Sequence, residues 1–502
     1  MMLRFYAFLV AGLCCLACRC AETAAPLNVA ECGADPTGRS DCTQVLQGLH
    51  ARKVPLFYPN GTYRFNGETL DFSGGVVFES NDGVVIRNDL SSQPVVVFDD
   101  SGRLIGLQQN HLEQDERVLG PKGVMRSGTL VPPPLSRAES VTAVDVIAHW
   151  YNDGGLECRR KGGGWIGWYY WSWAFHNSVL SGGRQGASYD AARHPLLGFY
   201  RGDDPVVLDW QCFWLAEYGV KAVTLCAGSI DYEHWKQPDG NGHWLYQLFH
   251  HVPNFQSLQY ILWVPTPWAK ATLENQRKVE ADWMQAIERV YLHHENFYAL
   301  EVAGKRFPVL YMFEGAALRG VFDNYSGSAK TDAFLQRIAE RFKAAGYGGV
   351  ALFVRHPAAG NLLNRVALER QGVLYLDASY ADDYGMGDTY SARVGSFAPP
   401  IAPRTIINVC TSKDSHAPHP SKWVCPGSTP ALFGDLVKRA VAHVQTNRMM
   451  RIITCYNVAE WAEGGPGLQP EMRDRFGYLE ALRDAVALPA GEEPRNNHVI
   501  EE

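Results

Sequence analysis

Tyr260-Ile261-Leu262-Trp263-Val264, then Leu273 through His293, then Val309-Leu310-Tyr311-Met312-Phe313: a short apolar run, a long stretch with apolar residues at helical spacing, and a second short apolar run. Apolar runs of strand length bounded by polar turns read as strands buried on both faces, and the stretch between them reads as an amphipathic helix. Together they predict a strand–helix–strand unit with parallel strands.

The alternation extends in both directions. Toward the N-terminus lie a strand from Val144 to His149, a helix from Pro205 to Tyr218 stopped by Gly219, and a strand from Lys221 to Cys226. Toward the C-terminus come a helix from Thr331 to Ala345, a strand from Gly349 to Val354, a helix around Asn361 to Gln371, and strands from Val373 to Asp377 and Arg404 to Val409. A helix from Thr429 to Thr446, a strand from Arg451 to Asn457 and a helix from Pro470 to Ala485 close the series. About eight strands alternating with helices over roughly 350 residues predict an α/β fold, a (β/α)8 TIM-like barrel with insertions. Its expected span is 141–486, followed by a polar C-terminal tail, 487–502. An open doubly wound sheet is the competing fold, but no Gly-rich phosphate turn follows the first strand.

Upstream the period shortens. Between Pro26 and Leu112 the sequence consists of short β-rich runs, Val54 to Tyr58, Tyr63 to Phe65, Gly75 to Glu79, Val84 to Ile86 and Val95 to Phe98. Turn residues separate them at Asn60-Gly61, Asn66-Gly67, Ser73-Gly74-Gly75 and Asp82-Gly83, which predicts a small all-β N-terminal module over 26–112. The segment 113–140, with Val131-Pro132-Pro133-Pro134, reads as a linker. The first residues, Met1-Met2-Leu3-Arg4, an apolar run from Phe5 to Leu16 and the small residues Ala17 and Ala21, have the layout of a secretory signal peptide over 1–21. The expectation is a secreted or periplasmic protein, with a lipid anchor at Cys18 as the alternative fate of that cysteine-rich end.

Composition narrows the partners. A net charge of −7 over 502 residues carries no basic footprint, which argues against nucleic acid or an anionic membrane as partner. Hydrophobic residues at 46% and charged residues at 20% are ordinary globular values, whereas 14 Trp call for a use of exposed rings. Of the 12 cysteines, those beyond the leader are Cys32, Cys42, Cys158, Cys212, Cys226, Cys410, Cys425 and Cys455. An exported chain permits disulfides, and Cys32 with Cys42 and Cys410 with Cys425 each bracket a short loop that a disulfide bond would close. Cys212, Cys226 and Cys455, in apolar surroundings, read as buried free thiols. No Cys-x-x-Cys or His-Glu-x-x-His string supports a metal, and no cofactor is implied. The doublets His250-His251 and His293-His294 read as surface or core residues.

A barrel's active site lies at the C-terminal ends of its strands, so the polar residues just after each apolar run carry the information. The last strand runs into Asn457-Val458-Ala459-Glu460-Trp461-Ala462-Glu463-Gly464-Gly465-Pro466. Glycoside cleavage needs one carboxyl group to protonate the leaving oxygen and a second as base or nucleophile, about 5–5.5 Å apart in the retaining geometry. Glu460 and Glu463, straddling Trp461 at a strand end, are the catalytic candidates; an arbitrary Glu-x-x-Glu would instead cap the next segment or face solvent. Sugars present flat C–H faces to rings and hydroxyls to carboxylates, so the other strand ends supply substrate-binding candidates. These are Trp461 and Tyr456; Asp231, Tyr232 and Trp235; Trp263, with Trp268; Glu314; Asp377 and Tyr380, with Asp382; and His416, beside Lys413 and Asp414. For each alone, core packing or a surface salt link is an equal reading. The aromatic run from Trp165 to Phe175 is balanced between a groove lining and an internally packed hairpin.

Two resemblances rest on particular residues. Gly33-Ala34-Asp35-Pro36-Thr37-Gly38-Arg39-Ser40-Asp41, a helix-like Thr43 to Ala51 and Pro59-Asn60-Gly61-Thr62-Tyr63 resemble the opening of the pectate-lyase superfamily, implying a β-helix-like module of about 90 residues, too few coils for a cleft of its own. The stretch Glu460-Trp461-Ala462-Glu463-Gly464 resembles the Trp-Asn-Glu-Trp-x-Glu-Gly motif of glycoside hydrolase family 99 and the WbsX-like proteins. His194 to Pro205, Asp209 to Val223, Phe297 to Val309 and Thr429 to Phe433 agree in order, so the likeness covers most of 141–486. It implies a retaining hydrolase of α-mannoside-like glycans, endo-acting, in which Glu460 acts on the sugar's own 2-hydroxyl and Glu463 is the general acid/base. Where the family has Trp-Asn, this chain has Val458-Ala459, with Asn457 displaced by two positions. The expected partner is a polysaccharide or oligosaccharide. The rival readings are a non-catalytic glycan-binding protein on the same scaffold and a WbsX-like glycosyltransferase, the latter weakened because no diphosphate site is found.

Overall fold

The computed structural model describes residues 25–65, 69–71, 74–79, 84–87, 93–98, 104–110, 124–126, 129–135, 142–150, 203–226, 232–237, 243–264, 273–312, 329–354, 369–377, 389–399, 401, 404–411, 427–459, 467–471, 473–489, 491–492 and 496–500. The chain divides into two compact units, Met1–Asp89 with Ile105–Leu107, and Leu90–Leu104 with Gln108–Glu502.

In the first unit, Leu27–Asn28, Leu56–Tyr58 and Val76–Phe78 form one sheet and Thr37–Asp41, Gly61–Arg64 and Val84–Arg87 a second, every ladder of both being parallel. A helix, Thr43–His50, buries Leu46 and Leu49. Alternation along the strands sends Leu56, Tyr58 and Tyr63 inward, where the Tyr58 and Tyr63 rings meet edge-on at 5.3 Å. His50 Nε2 lies 2.7 Å from the Tyr58 hydroxyl, so this buried polar group is satisfied. The loop closure expected between Cys32 and Cys42 is not made: both are free thiols, Cys32 exposed and Cys42 buried at the start of the helix. The Cys42 sulfur is engaged locally, accepting the Asp35 N–H at 3.1 Å, and burial pushes its thiol pKa up.

In the second unit, eight of the described strands form the sheet that carries the site: β1 (Asp145–Trp150), β2 (Ala222–Cys226), β3 (Gln259–Trp263), β4 (Lys305–Met312), β5 (Val350–Val354), β6 (Val373–Asp377), β7 (Ile407–Cys410) and β8 (Ile452–Tyr456). They are laddered in parallel in the order β6-β5-β4-β3-β2-β1-β8-β7. The end strands β6 and β7 approach each other through a parallel bridge, Asp377 with Thr405, in which Asp377 N donates to Arg404 O at 3.0 Å and Ile406 N to Asp377 O at 2.7 Å. This curled eight-stranded sheet is consistent with a TIM-like barrel.

Side-chain alternation divides the core in two. Ile147, Ala222, Ile261, Val309, Ala351, Phe353, Leu376 and Ile452 fill the interior of the sheet. Val146, Ala148, Trp150, Val223, Leu225, Leu262, Leu310 and Ile453 face outward into the helix layer. That layer includes α1 (Pro205–Glu217), α2 (His243–His251), α3 (Leu273–Gln285), α4 (Ala329–Ala344), α5 (Pro430–Thr446) and α6 (Gly477–Val486). Helix α1 starts where the Asp204 side chain accepts the Val206 N–H at 2.9 Å with Pro205 in the first turn, and Gly219, at φ +90°, follows its end. Helix α5 is capped the same way by Thr429 before Pro430, and at Gly434 it comes close enough to α6 that an added Cβ would lie 3.3 Å from that of Ala481.

Three stretches depart from the sequence reading. Helix α6 begins at Gly477, not Pro470, because Glu471 and Arg475 pair across a turn in which the buried Glu471 carboxylate accepts the Asp474 N–H at 2.8 Å. The segment read as a linker contains a hairpin, Val124–Arg126 with Thr129–Val131. The polar tail is integrated in the fold: Val499–Ile500 runs parallel to Ala299–Val302, which pairs back on β4. At the N-terminal end of β1, buried Asp145 accepts the Tyr298 hydroxyl at 2.9 Å and the Asn497 amide at 3.3 Å, with His498 Nδ1 at 3.5 Å. A buried carboxylate needs such partners, and these three hold it at the end of the strands opposite the expected site.

Candidate active site

The inward positions near the C-terminal ends of the strands are chemically unlike those below them. The odd-numbered positions of β1 run Asp145, Ile147, His149, so His149 lies one layer above the aliphatic filling. Its register partners on the neighbouring strands are Thr224 on β2 and Tyr456 on β8. Nδ1 of His149 lies 2.7 Å from Oγ1 of Thr224, a fully buried hydroxyl. Three rings surround the imidazole: Tyr311 on β4 at 4.9 Å and edge-on, Trp263 on β3 at 6.4 Å, and Tyr456 at 6.4 Å, measured between centroids. Trp263 and Tyr311 also meet each other edge-on at 5.2 Å. A second polar pair, Thr454 Oγ1 donating to Asn408 Oδ1 at 2.9 Å, joins β8 to β7.

The segment leaving β8 is pinned to this layer. Val458 N donates to the carbonyl of His149 at 2.8 Å, then Leu468 N returns to Asn457 O at 2.9 Å and Gln469 N to Val458 O at 3.0 Å. Val458 and Ala459, at the positions where Trp-Asn was expected, are buried in the outer core. Gly467 has φ +61°, and a Cβ there would overlap Asn457 Oδ1 and its carbonyl, which is why the returning strand needs glycine at the crossing. Residues 460–466, and with them Glu460, Trp461 and Glu463, lie outside the described residues.

The other candidates separate. Tyr456 and Trp263 are brought together around His149. Tyr232 and Trp235 lie on a short helix, Tyr232–Trp235, that packs on α2: the Tyr232 hydroxyl is 2.8 Å from His250 Nε2, and His243 Nδ1 is 2.8 Å from the Trp235 carbonyl. Trp235 is fully buried in the helix-layer core, away from the lumen. Asp377 shares the outward parity of Tyr375, whose hydroxyl donates to it at 3.4 Å, so alternation turns it from the barrel axis. Asp231, Tyr380 and His416, with Trp268, Glu314, Asp382, Lys413, Asp414 and the 165–175 aromatic run, lie outside the described residues. His149, Thr224 and Tyr311 lie inside the apolar runs, not after them, and so fall outside the strand-end rule. The available signal was a polar or hydroxyl-bearing residue at inward parity inside the run. Cys410, expected to bond Cys425, is buried and in no disulfide, and Cys425 lies outside the described residues; Cys212 and Cys455 are buried free thiols as read, and Cys226 is half-buried.

No family model matches the chain, and no curated protein matches it. Solved structures are similar at low identity. A glycoside hydrolase-like protein aligns at 12% identity over 74% of this chain and 99% of its own, with a TM-score of 0.42. The GH99 endo-alpha-mannosidase from Bacteroides thetaiotaomicron aligns at 11% identity over 68% of this chain and 95% of its own, with a TM-score of 0.40. A family 39 glycoside hydrolase from Bacteroides cellulosilyticus WH2 aligns at 9% identity over 80% of this chain and 77% of its own, with a TM-score of 0.37.

Proposed function

We propose that the chain is a retaining glycoside hydrolase acting on α-linked, α-mannoside-like glycans, exported by its N-terminal segment, with a β-helix-like module ahead of the barrel. Glu463 protonates the glycosidic oxygen as the bond to the anomeric carbon breaks. Glu460 takes the proton of the sugar's 2-hydroxyl, whose oxygen attacks that carbon to form an anhydro-sugar. Water then adds at the anomeric carbon, Glu463 accepting its proton and Glu460 returning one to the 2-oxygen, so configuration is retained. The observation that supports the reading is that the residues flanking the glutamate-bearing segment are hydrogen-bonded at the end of the sheet, Val458 to His149 and Leu468 to Asn457, where His149 meets the rings of Trp263 and Tyr311.

The test is product release from a panel of α-mannans and other α-glycans by the wild-type chain, Glu463→Gln and Glu460→Gln. Wild-type turnover with retained anomeric configuration, and a loss of about 10²–10⁴-fold in each variant, is the expected result. Equal turnover in wild type and Glu463→Gln would refute the assignment. Binding without turnover in all three chains would favour a glycan-binding protein, the reading that the buried Val458-Ala459 departure supports.

A further inference from the structure

We propose that protonation of His250 frees the Tyr232 end of the short helix Tyr232–Trp235 from α2, a pH-sensitive latch on the segment that follows β2. The inference stands apart from the chemistry proposed above and does not depend on it.

Histidines of α2 hold both ends of the short helix, and the two ends differ in kind. Trp235 is fully buried, and its carbonyl can only accept, so His243 Nδ1 carries the proton that reaches it at 2.8 Å. His243 Nε2 then accepts from the Gln247 amide at 2.7 Å, and this end stays fixed as a neutral, buried contact. At the other end the Tyr232 hydroxyl lies 2.8 Å from Nε2 of His250, in the last turn of α2, and Tyr232 N donates to Gln285 Oε1 at 3.3 Å. His250 is exposed and Tyr232 half-buried, so a proton reaches this imidazole without any opening of the fold.

The groups around His250 are mostly cations or groups that become so on acidification. Its ring lies edge-on to His294 at 5.4 Å and 6.3 Å from His251, measured between centroids, and His293 adjoins His294. The short helix adds Lys236, whose ammonium sits 5.2 Å over the Tyr232 ring, and Arg289 acts on Tyr232 from the turn after α3. Among the described residues the carboxylate facing Tyr232 is that of Glu233, which pairs with Lys236 at 2.9 Å; Tyr246, 4.5 Å from His250, is neutral. Burial, then His251 and Lys236, push the His250 pKa below 6.5, and burial with His250 and His293 pushes that of His294 to about 4. Both folded values lie below the free value, so the closed latch is fully stable above about pH 6.5 and loses stability as pH falls. A tyrosine hydroxyl can accept as well as donate, so the Tyr232 contact by itself tolerates the charged ring. What opens the latch is the repulsion of His250 from His251, His294 and Lys236, which is relieved when the imidazole swings into water and gives up Tyr232.

The experiment is hydrogen exchange on the full chain between about pH 7 and 4.5, corrected for the intrinsic rates and read at Tyr232 and Glu233, with α5 as the reference. In the wild-type chain, protection at Tyr232 should fall as pH drops below about 6.5, by up to about tenfold per pH unit for one proton taken up, while α5 keeps its protection. His250→Gln, which keeps an amide toward Tyr232 and cannot titrate, should hold its protection across the range. His294→Gln should lessen the fall, and it answers the question if His250→Gln does not fold. Tyr232→Phe should start with low protection at pH 7. Wild-type protection at Tyr232 that does not change with pH, the wild-type fall retained in either histidine variant, wild-type protection in Tyr232→Phe, or a parallel loss in α5 would overturn the inference.

Discussion

Replacing Gly467 with alanine tests whether the loop anchors govern the site. Gly467 sits at φ +61°, and the new Cβ would overlap the Asn457 side-chain and carbonyl oxygens and lie 2.8 Å from the Asn457 carbonyl carbon. A left-handed conformation costs a non-glycine residue about 1–2 kcal/mol. Forcing a methyl group against backbone adds about 1–3 kcal/mol. The sum is about 2–5 kcal/mol, because the neighbour is main chain held by Leu468 N and cannot swing aside. With about 2.1 cal/mol/K of unfolding entropy per residue over about 360 residues, 1 kcal/mol moves Tm by about 1.3 °C, so Tm falls by about 3–7 °C. Relief requires Asn457 to move, and with it Val458 and the loop it feeds, so kcat on the α-glycan substrate falls at least about tenfold when the anchor shifts by a fraction of an ångström to 1 Å. Scanning calorimetry and turnover well below both transitions check this. Gly346→Ala is the control: Gly346 has φ +94° but no heavy atom within 4 Å of the added Cβ, so it incurs only the dihedral cost and leaves turnover unchanged. If Gly467→Ala were no worse than Gly346→Ala in both readouts, the anchoring argument would fail.

Tyr298→Phe removes the donor to Asp145 Oδ2 and should lower stability by about 1–3 kcal/mol, seen as a lower urea midpoint with an unchanged slope. Trp235→Ala should cost about 3–5 kcal/mol in the same measurement and leave glycan affinity unaltered, since Trp235 lies in the helix-layer core; a large affinity loss in folded protein would refute that placement. Burial, helped by the neighbouring His250 and His293, pushes the His294 pKa down from 6.5 to about 4. The unfolded chain therefore takes up this proton first, and stability drops as pH falls from about 6.5 to about 4. His294→Gln should flatten the Tm profile in that window, and an unchanged slope would remove His294 as its cause.

The alternation of apolar runs and helices determined the barrel elements from sequence alone. Val373–Asp377 is found as read, and Gln259–Trp263 and Ile452–Tyr456 lie within a residue of it, because strands buried on both faces must be apolar throughout. The caps at Asp204 and Thr429 are local side-chain-to-backbone contacts set just ahead of Pro205 and Pro430. What the alternation does not record is which inward residues meet across the sheet. His149 and Thr224 are far apart in the chain, and His149 and Tyr311 further still; only the curl and register of the parallel sheet bring them into contact. The same holds for the tail that reaches Asp145 and for Trp235, for which groove and core were equal readings and which is buried in the core. Residue type and period report an element's own exposure pattern, whereas a site is made by residues from several elements, and their meeting is decided by how those elements pack.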